Sequence, residues 1–474
     1  MTSPSTLGSG SQSAPSKASA TGSIPSRVAA LRSAFDAGRT RPLEWRRAQL
    51  EGILRLLDER GDELMKALQA DLGKPEVEAN MADLGHAKSE TKLALKNLEK
   101  WTRPERVGLP IPILGRSFIL REPLGVVLII APWNYPVDLL FAPAAGAIAA
   151  GNAMVLKPSE ITQRTAEVLA RWIPEYLDSG AIAVVEGGVA ETTTLLEQRY
   201  DHIFYTGNGR VARVVLEAAA RHLTPVTLEL GGKSPCIVDR GVDLDVVARR
   251  IAWGKFMNAG QTCIAPDYVL AHEAVHDELL SKLRETVQKF YGDDPQRTPD
   301  FARIPNAAHH ARLSKLIEGQ NAVVGGQTDA ASRYIAPTVL RDVSPDAAVM
   351  QDEIFGPVLP VLKVKDMNAA VQFVNDRDRP LALYLFSEDS GTQRDVLART
   401  SSGGACVNGT ILHIVNSALP FGGVGPSGTG AYHGKHTFET FSHRKSVLKR
   451  GLRFDPTFLY PPYGPRARKL AKMM

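Results

Sequence analysis

The 474-residue sequence contains few cysteines, and the three present stand at positions 236, 263 and 406. A set this sparse and odd in number cannot form a disulfide framework, and it is typical of a reducing compartment. We therefore expect a cytoplasmic protein. The sequence also predicts no metal site.

The sequence lacks an uninterrupted hydrophobic run long enough for a lipid-spanning helix. Its longest apolar stretch, residues 124–156, is broken by Pro132, Asn134, Pro136, Asp138 and Asn152. The first 24 residues contain eight serines and a single charge, Lys17. They lack both the apolar core of a signal peptide and the arginines of a transit peptide. This composition predicts a disordered tail over residues 1–24.

Most of the chain has no excess of positive charge. The formal net charge is +5, but the segment from residue 444 onward contains nine Lys or Arg residues and one acidic residue, Asp455. The rest of the chain is therefore slightly acidic, which argues against a nucleic-acid partner. We expect the basic C-terminal tail, residues 451–474, to make at most a weak contact with a membrane surface.

The chain is too long for one hydrophobic core, so at least two structural units are expected. A helical pattern over 24–101 is followed by a Pro- and Gly-rich segment, 103–121, typical of a connecting arm. From residue 126 onward, β-branched runs alternate with helical patterns, which predicts parallel sheets in two successive α/β units. The cleft between two such units is the expected place for a ligand.

One turn has the pattern of a dinucleotide-binding site. The segment Gly207-Asn208-Gly209-Arg210-Val211-Ala212 follows a predicted strand, 202–205, and opens an Ala-rich helix. Its backbone N–H groups and the helix N-terminus could face a phosphate, although a tight turn without a ligand is the alternative. Glu229, about 20 residues further on, would then be the ribose contact. Gly232-Lys233-Ser234 resembles the end of a P-loop motif. Thr227 stands where the first glycine of that motif should be, so we exclude a P-loop.

A second pair of polar residues lies at the same expected edge of the sheet. Lys157 and Glu160 come directly after a predicted strand, where doubly wound sheets bind nucleotides. An ammonium and a carboxylate three residues apart could each hydrogen-bond ribose hydroxyls. An exposed loop is the alternative interpretation.

Cys263 is the candidate nucleophile, because its neighbours Gly260, Gln261 and Thr262 are not core-forming residues. A free thiol has a pKa of about 8.5, so a nucleophilic thiol needs a stabilised thiolate or a general base. No histidine is adjacent in sequence. Glu229 is the natural candidate to take a proton, either from the thiol or from water.

Three segments in this order resemble the signature of the aldehyde dehydrogenases. They are Pro132-Trp133-Asn134-Tyr135-Pro136, Thr227-Leu228-Glu229-Leu230-Gly231-Gly232-Lys233 and Asn258-Ala259-Gly260-Gln261-Thr262-Cys263. Two further segments extend the similarity, Glu353-Ile354-Phe355-Gly356-Pro357 and Pro420-Phe421-Gly422-Gly423. The closing run from Gly430 to His443 resembles the class 3 branch of that superfamily.

The resemblance implies an α/β fold with a Rossmann-type cofactor domain, an α/β catalytic domain and a small β oligomerisation arm. The cofactor domain would comprise residues 25–104 and 121–230, and the catalytic domain 231–420. Residues 105–120 and 421–450 would form the arm. The resemblance also implies a homodimer.

The resemblance assigns roles to individual residues. Cys263 would be the nucleophile, Asn134 the side-chain donor to the oxyanion, and Glu229 the base that activates water, which replaces its assignment to a ribose. The cofactor would be NAD, with NADP also accepted. The remaining cofactor contacts would be Trp133, Lys157, Glu160, Thr206, Gly207, Gly209, Leu230, Gly231, Glu353 and Phe355. Arg210 and Ala212 depart from the usual pattern of the Gly207 turn.

These observations predict NAD(P)-dependent oxidation of medium- to long-chain aliphatic or aromatic aldehydes to carboxylic acids, through a Cys263 thiohemiacetal and thioester. A cofactor-independent thiol esterase is one alternative, and dependence of turnover on NAD(P) would separate the two. A non-catalytic protein on this fold is another, but the retention of Cys263, Glu229 and Asn134 argues against it. A CoA-acylating dehydrogenase is disfavoured by the presence of Glu229.

Overall fold

The computed structural model describes residues 22–109, 115–453 and 455–472. The predicted tail over 1–24 lies outside the described residues except for its last three. The first helix, Ile24–Asp36, begins within those three, and the Ser23 hydroxyl accepts a hydrogen bond from the Ser26 N–H at its N-terminus. The described part of the basic tail contains a short helix, Pro465–Ala471.

A six-stranded sheet forms the centre of the N-terminal half. Five strands are parallel, and the sixth, Gly428–Thr429, runs antiparallel to its neighbour. The strand Val126–Ile130 is buried along its whole length, as expected for a parallel strand covered on both faces. In sheet order the strands are Gly428–Thr429, Val226–Glu229, His202–Thr206, Val126–Ile130, Ala153–Lys157 and Ile182–Val184.

A seven-stranded sheet forms the centre of the C-terminal half. Its strands are parallel except Asn321–Val324, which pairs antiparallel with Thr338–Arg341. In sheet order they are Asn321–Val324, Thr338–Arg341, Val358–Val364, Tyr268–His272, Pro235–Val238, Ala382–Phe386 and Gly404–Val407. Two further short strands, Thr328–Asp329 and Tyr334–Ile335, pair antiparallel with each other. In the sequence they lie between Asn321–Val324 and Thr338–Arg341. The α/β fold predicted from the alternating pattern is confirmed.

Helices connect the strands in both halves. The helix Asp138–Ala150 is buried on every side and ends at Gly151, whose φ of 92° suits a left-handed C-terminal residue. The other helices of the first half are Leu43–Glu59, Gly61–Leu72, Glu76–Glu78, His86–Thr102, Gln163–Tyr176, Val189–Leu196 and Gly209–Ala220, with a π-helical turn at Ala79–Gly85. Those of the second half are Leu244–Phe256, His276–Tyr291, Ala307–Ile317, Met367–Asn375 and Ser390–Arg399.

A three-stranded sheet includes residues of both segments for which an arm was predicted. It consists of Glu105–Val107, Arg116–Pro123 and Ser442–Lys449, and the last two pair over eight residues. Residues 110–114 of the expected 105–120 segment lie outside the described residues.

The C-terminal part of the arm begins later than the expected 421–450 segment. Gly428–Thr429 pairs with Val226–Glu229 in the six-stranded sheet, so these residues belong to the first half of the molecule. The helix Lys435–Thr440 packs against Asp138–Ala150, where a β-carbon on Gly146 would lie 2.3 Å from Thr437. This close approach holds the helix on the domain, and the arm strand starts only at Ser442.

The two sheets meet at the predicted cleft. Glu229 ends a strand of the first sheet, and Cys263 lies just before the strand Tyr268–His272 of the second. One hydrophobic core cluster includes residues of both halves, such as Ile129 and Val269. Within the described ranges, every helix is too short or too polar to cross a membrane.

Candidate active site

The turn before Cys263 has an unusual backbone conformation. Asn258 and Ala259 both have a φ of 52°, and Gly260 has a φ of 73°. A β-carbon on Gly260 would lie 2.3 Å from the Gly356 carbonyl oxygen, so only glycine fits there. Non-glycine residues in this region store strain and occur mainly at functional sites. The turn presents Cys263 at the end of a fixed loop.

Asn134 and Asn258 hold this loop from two sides. The Asn134 amide donates to the Gln261 carbonyl at 3.0 Å, and the Asn258 amide donates to the Asn134 carbonyl at 3.0 Å. The Asn258 N–H donates to the Glu78 carboxylate at 2.8 Å. Because the Asn134 amide has two protons, one remains for another acceptor.

A buried ion pair supports Asn134 from behind. The Lys74 ammonium donates to the Asn134 carbonyl at 2.7 Å and to Asp83 at 2.6 Å, and both charged side chains are fully buried. Sequence reasoning missed this pair. Lys74 lies in a short loop after the helix Gly61–Leu72 and Asp83 in the π-helical turn, and no periodic pattern distinguishes them from surface charges.

Glu229 is buried without a partner. Neither of its carboxylate oxygens makes a hydrogen bond to any of the described residues, and its residue surface is 2% exposed. Burial raises the pKa of Glu229 well above its usual value. Its backbone is fixed by the pairing with Gly428 and by a hydrogen bond from the Gly207 N–H at 3.0 Å.

Cys263 lies close to two carboxyl groups. Burial raises the pKa of its thiol above the usual value, and the carboxylates of Glu353 and Glu229 raise it further. The thiol is therefore held in its protonated form in the free protein. The structure thus brings Cys263, Glu229 and Asn134 together around one loop.

Glu353 lies near both the thiol and Gly231, which follows a strand of the first sheet. Burial and the Asp267 carboxylate raise its pKa to about 8, and the Gly232 N–H and nearby ammonium groups offset part of this. A β-carbon on Gly231 would lie 2.2 Å from a Glu353 carboxylate oxygen, so a larger residue there would displace this carboxylate.

A buried lysine near Glu353 was not predicted from the sequence. The Lys255 ammonium has no hydrogen-bond partner among the described residues, and burial lowers its pKa to about 8. The Glu353 carboxylate opposes this shift. Lys255 stands in an otherwise ordinary amphipathic helix, Leu244–Phe256, and so gave no separate signal.

Aromatic rings close this part of the site. The Trp133 ring lies 5.3 Å from the Phe355 ring in an edge-to-face contact and 5.1 Å from the His309 ring. Phe355 has a φ of 48°, which is rare for an aromatic residue. The predicted contacts Trp133, Glu353 and Phe355 therefore lie together, whereas sequence reasoning did not find His309.

The other predicted cofactor residues follow the carboxyl ends of neighbouring parallel strands. The buried Lys157 ammonium lies 3.2 Å from the Glu160 carboxylate and 2.9 Å from the Pro158 carbonyl. Thr206 ends the next-but-one strand, and its hydroxyl is buried without a partner in the described part of the chain. These residues occupy the edge where doubly wound sheets bind nucleotides.

The Gly207 turn leads directly into a helix. A β-carbon on Gly207 would lie 2.2 Å from the Tyr205 hydroxyl, whereas one on Gly209 would have ordinary space. Gly209 begins the helix Gly209–Ala220, and the Asn208 side chain accepts from the Val211 N–H at 3.0 Å. This Asn cap occupies one of the helix N–H groups that could otherwise face a phosphate.

Ala212 and Arg210, which depart from the usual pattern of this turn, cause no steric clash. Ala212 is 2% exposed, so its methyl group packs in the interior, and Arg210 points to the exposed surface. Leu230 is also buried, and its N–H donates to the Ser427 carbonyl at 3.2 Å. The unpaired Thr206 hydroxyl, the glycine turn that opens a helix and the Lys157–Glu160 pair fit a dinucleotide along this edge. No cluster of metal ligands occurs in the ranges that the structure describes.

Comparison with known proteins shows the family of this chain. A family model described as "Aldehyde dehydrogenase family" matches residues 9–447. The chain is 50% identical over 440 residues to mouse "Aldehyde dehydrogenase family 3 member A2", covering 92% of this chain and 91% of the mouse protein. It is 49% identical over 443 residues to rat "Aldehyde dehydrogenase, dimeric NADP-preferring", covering 93% and 98% of the two chains.

Solved structures show the same similarity. A substrate-bound AldH of Staphylococcus aureus superposes with a TM-score of 0.94 at 42% identity, covering 96% of this chain and 100% of that one. An aldehyde dehydrogenase of Mycobacterium tuberculosis complexed with NAD+ superposes with a TM-score of 0.81 at 29% identity, covering 90% of each chain.

The chain belongs to the aldehyde dehydrogenase family, and the fold and family predicted from its motifs are confirmed. Its relatives place it in the family 3 branch. It is an enzyme that oxidises aldehydes with NAD(P) as cofactor. The thiol-esterase and non-catalytic alternatives are not favoured.

Proposed function

We propose that Cys263 attacks the aldehyde, that Asn134 stabilises the oxyanion and that Glu229 activates the water that completes the reaction. The observation on which this rests is the buried, unpaired Glu229 carboxyl group beside the Cys263 thiol. A carboxyl group with a raised pKa next to a nucleophile is a suitable general base near neutral pH.

The reaction begins when the Cys263 thiol releases its proton to solvent and its sulfur bonds to the aldehyde carbon, which gives a thiohemiacetal whose oxygen carries the negative charge. The free proton of the Asn134 amide and the Cys263 N–H stabilise the negative charge on its oxygen, and one such donor is worth about 3 kcal/mol. The nicotinamide dinucleotide, when bound, supplies the acceptor for the hydride that leaves the tetrahedral carbon. Glu229 then takes a proton from water, the hydroxyl attacks the thioester carbon, and the carbon–sulfur bond breaks.

Lys157 and Glu160 would hold the adenosine ribose, and Glu353 with Phe355 the nicotinamide ribose. Trp133, Thr206, Gly207, Gly209, Leu230 and Gly231 would line the rest of the cofactor site. We propose that NAD is preferred over NADP, because a 2′-phosphate would lie beside the Glu160 carboxylate. The rat relative is named NADP-preferring, so acceptance of both cofactors is expected.

The proposed substrates are medium- to long-chain aliphatic or aromatic aldehydes. Tyr135, Tyr384 and Tyr432 are buried and close enough to Cys263 for its charge to affect their pKa values. Aromatic walls of this kind favour apolar substrates. Initial rates across a chain-length series from acetaldehyde to dodecanal would test the proposal, and a maximum at acetaldehyde would contradict it.

We propose a homodimer assembled through the arm. Ser442–Lys449 is an eight-residue strand at the edge of its sheet, with its outer hydrogen-bonding groups available for another chain. The name of the rat relative includes "dimeric". Sedimentation at micromolar protein should give twice the monomer mass, and a monomer alone would contradict the proposal.

Cytoplasmic localisation and a weak membrane-surface contact of the tail are further parts of the proposal. Phe458, Leu459, Tyr460 and Tyr463 are exposed, and they precede the basic helix Pro465–Ala471. Aromatic residues beside basic ones suit an anionic lipid surface. Subcellular fractionation tests the localisation. Co-sedimentation with phosphatidylserine vesicles tests the contact, which should disappear after truncation at residue 450 and in high salt.

The Glu229→Gln variant tests the central proposal. The amide keeps the shape of the side chain but cannot accept a proton, so acylation should continue while thioester hydrolysis stops. A pre-steady-state burst of NADH should therefore survive although steady turnover collapses. Equal loss of both phases would instead place Glu229 at activation of the thiol.

A further inference from the structure

The turn before Cys263 depends on a hydrogen-bond acceptor outside its own loop. Asn258 is fully buried and has a left-handed backbone conformation, with a φ of 52° and a ψ of 33°. A buried N–H group without an acceptor costs free energy, and so does this conformation in a residue other than glycine. The Asn258 N–H donates to the Glu78 carboxylate at 2.8 Å. Glu78 therefore stabilises the turn at its first residue.

The Asn258 side chain connects this turn with the proposed oxyanion donors. Its amide donates to the Asn134 carbonyl at 3.0 Å and to the Gln261 carbonyl at 3.2 Å. The Asn134 amide donates to the same Gln261 carbonyl at 3.0 Å. Asn258 and Asn134 are therefore fixed against each other two residues before Cys263. A shift of Asn258 would move the Asn134 amide relative to the thiol.

One short segment, residues 74–78, contacts the oxyanion site from both sides. At its start, the Lys74 ammonium is fully buried and donates to the Asn134 carbonyl at 2.7 Å. At its end, the Glu78 carboxylate accepts the hydrogen bond from the Asn258 N–H. Asn134 belongs to the first half of the molecule and Asn258 to the second. The segment therefore connects the two halves at the place where the oxyanion would form.

We propose that Glu78 is a positioning residue of the oxidation reaction: its carboxylate holds the turn at Asn258 and thereby aligns the Asn134 amide and the Cys263 N–H on the oxyanion. This inference rests on the proposed roles of Asn134 and Cys263. Glu78 acts through Asn258 and exchanges no proton with the substrate. Because the oxyanion forms only after attack on the aldehyde, Glu78 affects the rate of the reaction and not the binding of the cofactor.

The charge on Glu78 changes near neutral pH. Burial raises its pKa to about 7, although the Asn258 N–H and the Lys74 ammonium oppose this shift. A carboxylate accepts a stronger hydrogen bond than a neutral carboxyl group does. The turn is therefore held more firmly above pH 7 than below it. The ionisable groups that face Glu78 are Lys74, Asp300, Tyr135 and Tyr291.

The Glu78→Ala variant tests the inference. Without the acceptor, the Asn258 N–H is left unpaired, so kcat and kcat/KM should fall together by about tenfold or more, as for a lost hydrogen bond to a charged group. NADH binding, measured by fluorescence titration, should be unchanged. Glu76→Ala is the matched control, because Glu76 is an exposed carboxylate on the same helical turn, Glu76–Glu78. It should keep the wild-type kcat.

The Glu78→Gln variant separates the effect of charge from the effect of shape. Its amide oxygen can accept from the Asn258 N–H but does not titrate, so it should restore part of the kcat that Glu78→Ala loses. The ratio of the wild-type kcat to that of Glu78→Gln should be close to one at about pH 6 and rise to about fivefold at about pH 8.5. Glu229 and Glu353 titrate in both proteins and so do not change the ratio.

A double variant shows whether Glu78 acts through the oxyanion site. In the Asn134→Ala background, one of the two donors that Glu78 aligns is already absent. Adding Glu78→Ala there should lower kcat by a smaller factor than it does in the wild-type background, since the two residues belong to one hydrogen-bond network. Equal factors in the two backgrounds would mean that Glu78 acts elsewhere and would overturn the proposal.

Two further results would contradict the positioning role. One is a folded Glu78→Ala protein whose kcat stays within about twofold of that of Glu76→Ala, even if its thermal stability is lower. The other is a ratio of wild-type to Glu78→Gln kcat that does not change with pH. If Glu78→Ala does not fold, the pH dependence of this ratio decides the question, because the amide keeps the size of the side chain.

The single Asn134→Ala variant separates this failure from a failure of the proposed function. If Asn134→Ala loses kcat while the Glu78 variants keep theirs, the oxyanion site stands and only the positioning role of Glu78 is wrong. If Asn134→Ala keeps its kcat, the proposed role of Asn134 itself is wrong, and the inference about Glu78 fails with it.

Discussion

Charged groups are paired at the outer, cofactor-binding end of the active site and unpaired at the inner end, near Cys263. At the outer end, the Lys157 ammonium and the Glu160 carboxylate lie 3.2 Å apart, and half of the Glu160 side chain is exposed. At the inner end, Glu229 is buried beside the partly buried Cys263, and neither carboxylate oxygen of Glu229 has a partner in the described residues. The outer charges are balanced by each other, whereas the inner groups are not.

Because of this difference, we expect the outer end to bind the cofactor and the inner end to carry out the reaction. A balanced ion pair is stable before a ligand arrives, so the outer end is a preformed surface for hydroxyl groups. An unpaired buried carboxyl group costs free energy in the free protein, because burial disfavours its charged form. That cost is what makes Glu229 ready to take a proton. Substitutions at the inner end should therefore affect the rate, and those at the outer end the choice of cofactor.

The largest effect is expected for Cys263→Ala. Without the thiol no covalent intermediate forms, so oxidation should fall below about a hundredth of the wild-type rate. Cofactor binding, measured by fluorescence titration with NADH, should be unchanged because the outer end is intact. Residual turnover above that level would mean that another group performs the attack.

Asn134→Ala should have the next largest effect. Loss of one oxyanion donor lowers kcat about a hundredfold in comparable sites. KM for the aldehyde should change much less, since the charge develops only after attack. Asn134 also donates to the Gln261 carbonyl, so a loss of loop structure must be excluded. Alkylation of Cys263 by iodoacetamide at an unchanged rate would exclude it, and an unchanged kcat would remove Asn134 from the oxyanion site.

The sequence predicted the inner groups better than their environment. Glu229, Asn134 and Cys263 belong to short motifs that resemble those of the aldehyde dehydrogenases, and the resemblance implied their roles; the structure brings them together around one loop. The alternating pattern likewise predicted the α/β fold. The protonation of these groups depends on burial, which arises from chain segments far apart in sequence and therefore gives no local signal.

The groups that the sequence did not reveal share this long-range character. Lys74 and Asp83 form a buried ion pair behind Asn134, and Lys255 is buried near Glu353, but no local sequence pattern marks any of the three. The arm strand starts at Ser442 and not at residue 421 because the position of the preceding segment also depends on a long-range contact. Gly146 allows the helix Lys435–Thr440 to approach Asp138–Ala150, a contact between segments nearly 300 residues apart.

The Glu353→Gln variant tests whether a neighbouring carboxylate controls the pKa of the Cys263 thiol at the inner end. The Glu353 carboxylate raises the pKa of the Cys263 thiol, so its removal should lower that pKa and speed alkylation by iodoacetamide. The pKa of Glu353 is about 8, so the carboxylate is charged mainly above that pH, and the difference between variant and wild type should be larger there. An effect of up to about fivefold corresponds to one charge near a partly screened thiol. Slower alkylation in the variant would show that Glu353 acts as a base toward the thiol.

The smallest effect, and the only one confined to the outer end, is expected for Glu160→Gln. The 2′-phosphate of NADP would lie beside the Glu160 carboxylate, and like charges at such separation repel by about 1 kcal/mol in water. The amide removes this repulsion, so the ratio of kcat/KM for NAD to that for NADP should fall about fivefold. Turnover at saturating NAD should change little, since the reacting groups are untouched. Glu175→Gln, an exposed carboxylate on the helix Gln163–Tyr176, is the control for a general change of surface charge. If both variants leave the ratio unchanged, Glu160 does not contact the ribose, and the outer end does not select the cofactor.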